Sequence, residues 1–430
     1  MECATPAIGV PQFLESLTAI VNICLSGQAP VGLAHLISSA PLTPILKKDN
    51  SIRPIAVGET LRRLVSKRCV HAVRHEAATY LAPLQMGVGV SNGVEGILHA
   101  LNRVIAKHDL PPDTVLLLID FENAFNKVDR QHVIDQVWTH FPQIAGWVQY
   151  TYGTAASLFT GRDILKASSG VQQGDPLGPL LFALVLQPLL NKLKETCGVE
   201  LTSFLDDLTI VSSADTAREC LDILILEGPT YGLTVSLAKT TVWWPQPTGC
   251  STQQAPPGSQ IGYDLFPTII RSSANGVKLL GGAVSLTDSF FEEVAAERVR
   301  KAIESIDMMM ELDDPQLCLM LLRACEGMKK LNYSWRTIEP RILKGLGAVM
   351  DSSTVNALRR ICVADGPGFG DFQAMLASLP VTQCGGLGIS LASDTSKFAY
   401  IASNLSSLEM QQKIFSSLPL VPTEVTAGIL

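Results

Sequence analysis

The sequence predicts an α+β protein in which a mixed part comes first and an all-helical part follows. Three observations carry this. Short apolar, β-branched runs, such as Thr114 to Ile119 and the two arms of Leu201 to Val211, read as strands. Between them lie longer stretches with apolar residues at helical spacing. From Thr287 onward only the helical pattern remains, broken near Gly366-Pro367-Gly368 and at Cys384-Gly385-Gly386. A strand-bearing part followed by a helical one fits an α+β catalytic part with a helical appendage. At 430 residues, the chain exceeds one ordinary core and predicts two or three subdomains.

In chain order, Val10 to Leu25 is a helix by the spacing of Phe13, Leu17, Ile20, Val21 and Cys24. Ala40 to Val57 is extended, with Asp49-Asn50 as a hairpin turn. Thr60 to Tyr80 is a helix with Thr60 as its N-cap, and Val94 to His108 is another. Thr114 to Ile119 is a buried strand ending at Asp120. Asp129 caps a helix carrying Val133, Ile134, Val137, Trp138 and Phe141. Gly170 to Pro179 is a loop feeding a helix through Leu190, and Leu201 to Val211 folds back on itself around Asp206-Asp207. A helix from Thr216 to Leu226 precedes a strand near Thr240 to Trp244. Pro245 to Ser259, rich in Pro, Gly, Gln and Ser, is a surface loop, and Val277 to Val284 is a further hairpin.

Hydrophobic residues make up 47% and charged residues 17%, a balance that folds. The longest apolar candidate for a membrane span, Leu177 to Leu190, is too short and holds Pro179, Gln187 and Pro188. No secretory signal opens the chain. Ten cysteines are scattered without a CxxC pair, and all histidines fall between His35 and His140, so no zinc site is expected in the later half. Reduced thiols in an intracellular protein follow, with cytoplasm and nucleus equally open. The net charge of −7 taken alone argues against nucleic-acid binding. Pro41 to Ala78 is nevertheless locally basic at +5, with Arg62, Arg63, Lys67 and Arg68 close together. Such a stretch holds a phosphate backbone, or is simply a solvated helix face.

The chemistry sits at two acidic strand ends, Leu116-Leu117-Leu118-Ile119-Asp120 and Phe204-Leu205-Asp206-Asp207. A carboxylate ending an apolar strand is costly unless it faces a cleft, a partner or a metal. If the two strands are neighbours, three carboxylates converge on a pocket suited to two hard cations about 3.5–4 Å apart. Singly, each acid is an ordinary turn or cap residue. Their combination with Gly170-Val171-Gln172-Gln173-Gly174-Asp175-Pro176-Leu177 between them sets the pattern apart.

At this point the sequence resembles reverse transcriptases, most closely those of non-LTR retrotransposons. Asp120-Phe121-Glu122-Asn123-Ala124-Phe125 resembles the first catalytic motif, the Gln173-Gly174 block the second and Phe204-Leu205-Asp206-Asp207 the third. Gly232-Leu233-Thr234-Val235 with Lys239 resembles the fourth, and Leu279-Leu280-Gly281-Gly282 the fifth. Upstream, Pro44-Ile45-Leu46-Lys47-Lys48, Ile52-Arg53-Pro54-Ile55 and Gln85-Met86-Gly87-Val88-Gly89 resemble the family's fingers and fingers-to-palm segments.

The resemblance implies a right-hand polymerase, with an N-terminal helical extension over 1–39 and fingers and an antiparallel-sheet palm over 40–285. A helical thumb over 286–350 and a C-terminal helical region over 351–430 would follow. It implies RNA-directed DNA synthesis, with Asp120, Asp206 and Asp207 holding two Mg²⁺ ions, Mn²⁺ being a possible substitute. Arg53 and Lys48 would neutralise the triphosphate, and the backbone from Phe121 would face it. Phe125 would lie under the sugar and exclude a 2′-hydroxyl. Gln173 and Gly174 would pack near the incoming nucleotide, and Lys239 would steady pyrophosphate. Leu280, Gly281 and Gly282 would form the primer grip. The implied partners are an RNA template, a DNA or RNA primer and deoxynucleoside triphosphates, with no membrane.

The family usually has Tyr-Ala where this chain has Phe204-Leu205, which implies altered primer positioning or fidelity. No endonuclease, RNase H or zinc knuckle is recognisable, so the chain is a stand-alone polymerase or part of a longer element. Two other readings stay open: a catalytically silent, domesticated nucleic-acid-binding remnant, and an RNA-dependent RNA polymerase. Phe125 and Leu205 argue against the latter, which needs room for a 2′-hydroxyl and usually has Gly before the paired acids.

Overall fold

The computed structural model describes residues 10–46, 50, 52–106, 110–245, 265–271, 275–364 and 366–415. The fold is α+β, and it divides into two compact units. One is drawn from Met1–Val90, Val115–Val242 and Ile261–Ile270, the other from Ser91–Thr114, Trp243–Gln260 and Arg271–Leu430.

The first unit holds both larger sheets. Strands β1 (Ala40–Leu46) and β2 (Ile52–Ala56) pair antiparallel, with Ile45 opposite Arg53. Next to them come β4 (Ala156–Thr160) and β5 (Asp163–Ala167), in the order β2-β1-β4-β5, with β1 and β4 parallel. The sequence reading has neither β4 nor β5. Their residues Ile164 and Leu165 are exposed, so the run lacks the one-sided apolar alternation that marks a strand.

The second sheet has the order β6-β7-β3-β8-β9. It is built on β3 (Thr114–Ile119), β6 (Glu200–Phe204), β7 (Asp207–Ser213), β8 (Thr241–Trp243) and the short β9 (Ile270–Arg271). Val115, Leu116 and Leu117 are fully buried, as a strand covered on both faces requires. Helix α8 (Gly178–Cys197) lies against this sheet and is buried almost all round, the pattern of a helix in a core rather than on a surface. It runs a full two turns beyond the expected end at Leu190 and accommodates Pro188. Gly198, at φ +64°, ends it.

Other expectations meet the structure at the helix caps. Asp129 caps α6 (Arg130–His140) by accepting from the His132 N–H at 2.9 Å, as predicted. Thr60 does not cap α3 (Thr60–Leu81): the cap position is Glu59, without a side-chain bond, and Thr60 is already helical. Arg62 is also misplaced by a surface reading of the basic stretch. It is 1% exposed and donates to an Asp175 carboxylate oxygen at 2.9 Å and to the Ser38 carbonyl at 2.7 Å. Tyr152 donates to the same Asp175 oxygen at 2.9 Å. The remaining basic residues Arg63, Lys67, Arg68 and Arg74 do face solvent along α3.

In the second unit, α4 (Gly93–Ile105) packs on the hairpin of β10 (Gly276–Leu279) and β11 (Gly282–Ser285) and on the helix Ala392–Ile414. The helices Asp288–Met309 and Pro340–Val363 enclose a separate core around Trp335, Leu322, Met350 and Leu358. Every described cysteine is free. Among the described residues no helix is long and apolar enough to cross a membrane.

Candidate active site

Strand β7 runs between β6 and β3, so the two acidic strand ends are neighbours in one sheet. Asp120 follows the last residue of β3, and Asp207 opens β7. Asp206 sits in the two-residue loop joining β6 to β7, where Phe204 pairs with Asp207.

The backbone at Asp120 is fixed from the fourth motif. The Ser236 N–H donates to the Asp120 carbonyl at 2.8 Å, and the Glu122 N–H to the Thr234 carbonyl at 2.8 Å. Phe121 and Val235 form an antiparallel bridge, and the Asp120 N–H reaches the Thr240 hydroxyl at 3.4 Å. Lys239 is exposed in the same turn, its N–H donating to the Ser236 carbonyl at 3.0 Å. The structure therefore joins the first, third and fourth motifs, which lie far apart in sequence.

Electrostatics show how closely the acids share space. Burial raises the proton affinity of Asp207, and the charges of Asp206 and Asp120 push it further, to about 6. Burial likewise raises that of Asp206, against the positive charge of Arg53. Arg53, exposed on β2, is thus within electrostatic reach of the loop acid. Among the described residues no three His, Cys, Asp or Glu side chains close to metal-ligand spacing. The donor set nonetheless suits a hard cation. It is all oxygen, its members repel one another, and a cation would relieve that repulsion.

The second motif presses on the end of β2. The Gly174 N–H donates to the Ala56 carbonyl at 3.2 Å, and a Cβ on Gly174 would stand 2.4 Å from that oxygen. Only glycine allows this approach. Gln173 beside it is half-buried. Asp175, two residues on, is the buried partner of Arg62 and belongs to the scaffold.

Phe125 is half-buried and stacks on Phe182 of α8, with ring centroids 4.6 Å apart and planes 15° apart. Its carbonyl accepts from the Val171 N–H at 2.7 Å, which ties the first motif to the second. The Phe121 side chain is buried, leaving only its backbone for other partners. Lys48 lies outside the described residues.

Leu280, Gly281 and Gly282 form the β10–β11 turn of the second unit, with φ +49° at Leu280 and +75° at Gly281. The Tyr333 hydroxyl donates to the Leu280 carbonyl at 2.9 Å, and the Arg298 guanidinium donates to that of Gly281. Arg298 also lies over the Tyr333 ring, 5.0 Å from its centroid. Neither residue is picked out by the sequence, because each meets the turn from a helix beyond it.

Gln85 is a third residue to which the sequence assigns no role. It is fully buried, forms a parallel bridge with Ser203, and its amide meets the backbone of Leu205 in the acidic loop. Its place in the quoted Gln85-Met86-Gly87-Val88-Gly89 block is the one signal that could have drawn attention to it.

Comparison with known proteins places these observations. The family model described as reverse transcriptase (RNA-dependent DNA polymerase) matches residues 45–282. A retrotransposable element SLACS 132 kDa protein of Trypanosoma brucei gambiense is 23% identical over 47% of this chain and 17% of its own length. The retrovirus-related Pol polyprotein from type-1 retrotransposable element R2 of Popillia japonica is 27% identical over 46% of this chain and 29% of its own. The chain thus spans less than a third of either relative. Among solved structures, telomerase from Candida albicans with a fragment of telomeric RNA is similar at TM-score 0.49 and 11% identity, covering 91% of this chain and 63% of that one. The matched span takes in all five motifs from Ile45 to Gly282, and the relatives are retrotransposon proteins of non-LTR type: the chain belongs to the reverse transcriptase (RNA-dependent DNA polymerase) family.

Proposed function

We propose that this chain is the polymerase part of a retrotransposon-like element and adds deoxynucleotides to a primer 3′ end on an RNA template. The observation that carries the reading is that Asp120, Asp206 and Asp207 lie at the ends of the neighbouring strands β3, β6 and β7, close enough that the first two charges add to what burial already does to the proton affinity of the third. Asp120, Asp206 and Asp207 would hold two Mg²⁺ ions. When bound, such ions activate a 3′-hydroxyl and stabilise the charge of the departing pyrophosphate.

The chain's own residues do the rest. Arg53 brings positive charge to the acidic loop, where a triphosphate adds negative charge. Phe125, held flat by Phe182, presents a rigid wall against a 2′-hydroxyl. Gly174 keeps the second motif tight to β2, the strand that carries Arg53, and Gln173 beside it would meet the nucleotide. Lys239, in the turn that pins Asp120, supplies a cation for the pyrophosphate. The turn Leu280–Gly282, braced by Tyr333 and Arg298, would grip the primer. In this reading the first unit carries fingers and palm and the later helices the thumb.

The test is primer extension on an RNA template with Mg²⁺ and deoxynucleotides, for the full chain and for Asp206→Asn. The substitution keeps volume and leaves the exposed basic face of α3 intact, so template–primer binding survives. Extension falls by orders of magnitude, because the charge that stabilises the transition state is lost. Wild-type extension by Asp206→Asn overturns the assignment. Extension with ribonucleotides only would instead favour the RNA polymerase reading.

A further inference from the structure

We infer that Gln85 is a positioning residue that holds the acidic loop in a backbone conformation its own sequence disfavours. The inference rests on the polymerase reading for its meaning but on separate observations for its geometry.

Leu205 is the first residue of the two-residue loop between β6 and β7, and its φ is +57°. Of the two loop residues only Leu205 has positive φ, the pattern of a II′ hairpin turn, in which glycine normally takes the first position. A branched, bulky residue there is a genuine outlier and persists only when its surroundings enforce it. The alternative for Leu205 is to relax to negative φ. That would swing the next two peptide units, and with them the carboxylates of Asp206 and Asp207.

The enforcement centres on one side chain, the only one to hold both the N–H and the carbonyl of Leu205 among the described residues. The Leu205 N–H donates to Gln85 Oε1 at 2.7 Å, and Gln85 Nε2 donates to the Leu205 carbonyl at 3.1 Å. Both backbone polar groups of the strained residue are thus held by one rigid amide, as a neighbouring strand would hold them. The amide has no spare capacity. Oε1 also accepts from the Gly87 N–H at 3.0 Å, and Nε2 also donates to Ser203 Oγ at 3.3 Å. All four hydrogen-bonding positions of the glutamine are used, in a residue that is 0% exposed. Two backbone N–H donors on one atom also settle which end of the amide is oxygen.

Gln85 itself is anchored independently. The Met86 N–H donates to the Ser203 carbonyl and the Ser203 N–H to the Leu84 carbonyl, both at 2.7 Å. Ser203 Oγ also donates to the Leu205 carbonyl at 2.6 Å. Gly87 leaves room for the Leu205 side chain, since a Cβ there would stand 2.7 Å from Leu205 Cγ. The Gln85 amide bonds Leu205, Gly87 and Ser203, none of them an acid or a proposed nucleotide contact, so its effect on chemistry is through the loop backbone.

The experiment uses the full chain on an RNA template with a DNA primer. Gln85→Met keeps length and loses the four hydrogen bonds of the amide, while the backbone bonds of Met86 and Ser203 and the Ser203 hydroxyl bond to Leu205 remain. It should lower the maximal rate of single-nucleotide addition by roughly 10- to 100-fold, the scale of a small misplacement of catalytic groups. Primer–template affinity should be unchanged. Adding Leu205→Gly should restore most of the lost rate, because glycine takes positive φ without a clamp. A wild-type rate in Gln85→Met, or no recovery in Gln85→Met/Leu205→Gly, overturns the inference.

Amide hydrogen exchange supplies a readout independent of activity. In the wild-type chain the Leu205 N–H should be protected although it lies in a turn. In Gln85→Met it should exchange at least about tenfold faster, with the β6 and β7 amides unchanged, a local opening rather than unfolding. An unprotected Leu205 amide in the wild type overturns the inference even if Gln85→Met fails to fold. If the wild type extends no primer, the polymerase reading fails and exchange still decides the clamp. If Asp206→Asn is inactive while Gln85→Met is fully active, the clamp alone fails.

Discussion

Asp207→Asn should stabilise the protein while abolishing its proposed activity. In the folded chain Asp207 titrates near 6, whereas an isolated aspartate titrates near 3.8. At about 1.4 kcal/mol per tenfold change, that gap amounts to roughly 3 kcal/mol before screening. Asp207 is ringed by other groups yet still reaches solvent at the mouth of the loop, and that solvent reduces the figure to about 1 kcal/mol. The sign follows from linkage. A group whose folded proton affinity exceeds its unfolded one contributes stability below pH 3.8 and loses it as pH rises through 6. The wild type is therefore penalised at neutral pH for packing the Asp207 charge away from water and beside two other carboxylates, and the amide is not. In thermal melts at pH 7.5 without divalent metal, Asp207→Asn should melt about 2–4 °C above wild type, the shift expected of about 1 kcal/mol in a unit of 150–250 residues. The gap should shrink as pH falls through 6 and vanish near 4. A variant that melts below wild type at pH 7.5, or a gap indifferent to pH, would show that the acids do not crowd one another.

Other substitutions test the frame around the site. Arg62→Met leaves the Asp175 carboxylate buried without its cation and should cost about 3–5 kcal/mol by urea unfolding, whereas a solvated-face arginine would cost almost nothing. Gly174→Ala drives a methyl against the Ala56 carbonyl and should cost about 1–3 kcal/mol, with weakened nucleotide use in extension assays; an unshifted urea midpoint would mean the loop yields freely. Phe125→Val removes the stack on Phe182, about 0.5–1.5 kcal/mol, and opens the space beside the sugar. Ribonucleotide incorporation relative to deoxynucleotide should rise in that variant, and unaltered sugar discrimination would remove Phe125 from the nucleotide site.

Some of this protein was determined locally, and that part is legible in the chain. An apolar run that ends in aspartate can be read as a buried strand reaching an open edge, because both properties belong to consecutive residues. β3 with Asp120, the β6–β7 hairpin with Asp206 and Asp207, and the Asp129 cap are all of this kind. The order of motifs likewise survives as a linear pattern, since each block is only a few residues long. What the tertiary structure decided is which distant segments meet. Composition makes Arg62 one basic residue among several on α3, yet helical phase turns it inward to a carboxylate 113 positions away. Short strands such as β4 and β5 lack a one-sided apolar pattern and do not stand out until β1 offers β4 an edge to pair with. Gln85 is an ordinary polar residue after a helix until β6 brings Leu205, 120 positions on, against its amide. The strain at Leu205 and its restraint are coded in different parts of the chain. Neither can be inferred from its own neighbours, because a backbone angle held by tertiary hydrogen bonds leaves no mark on local propensity.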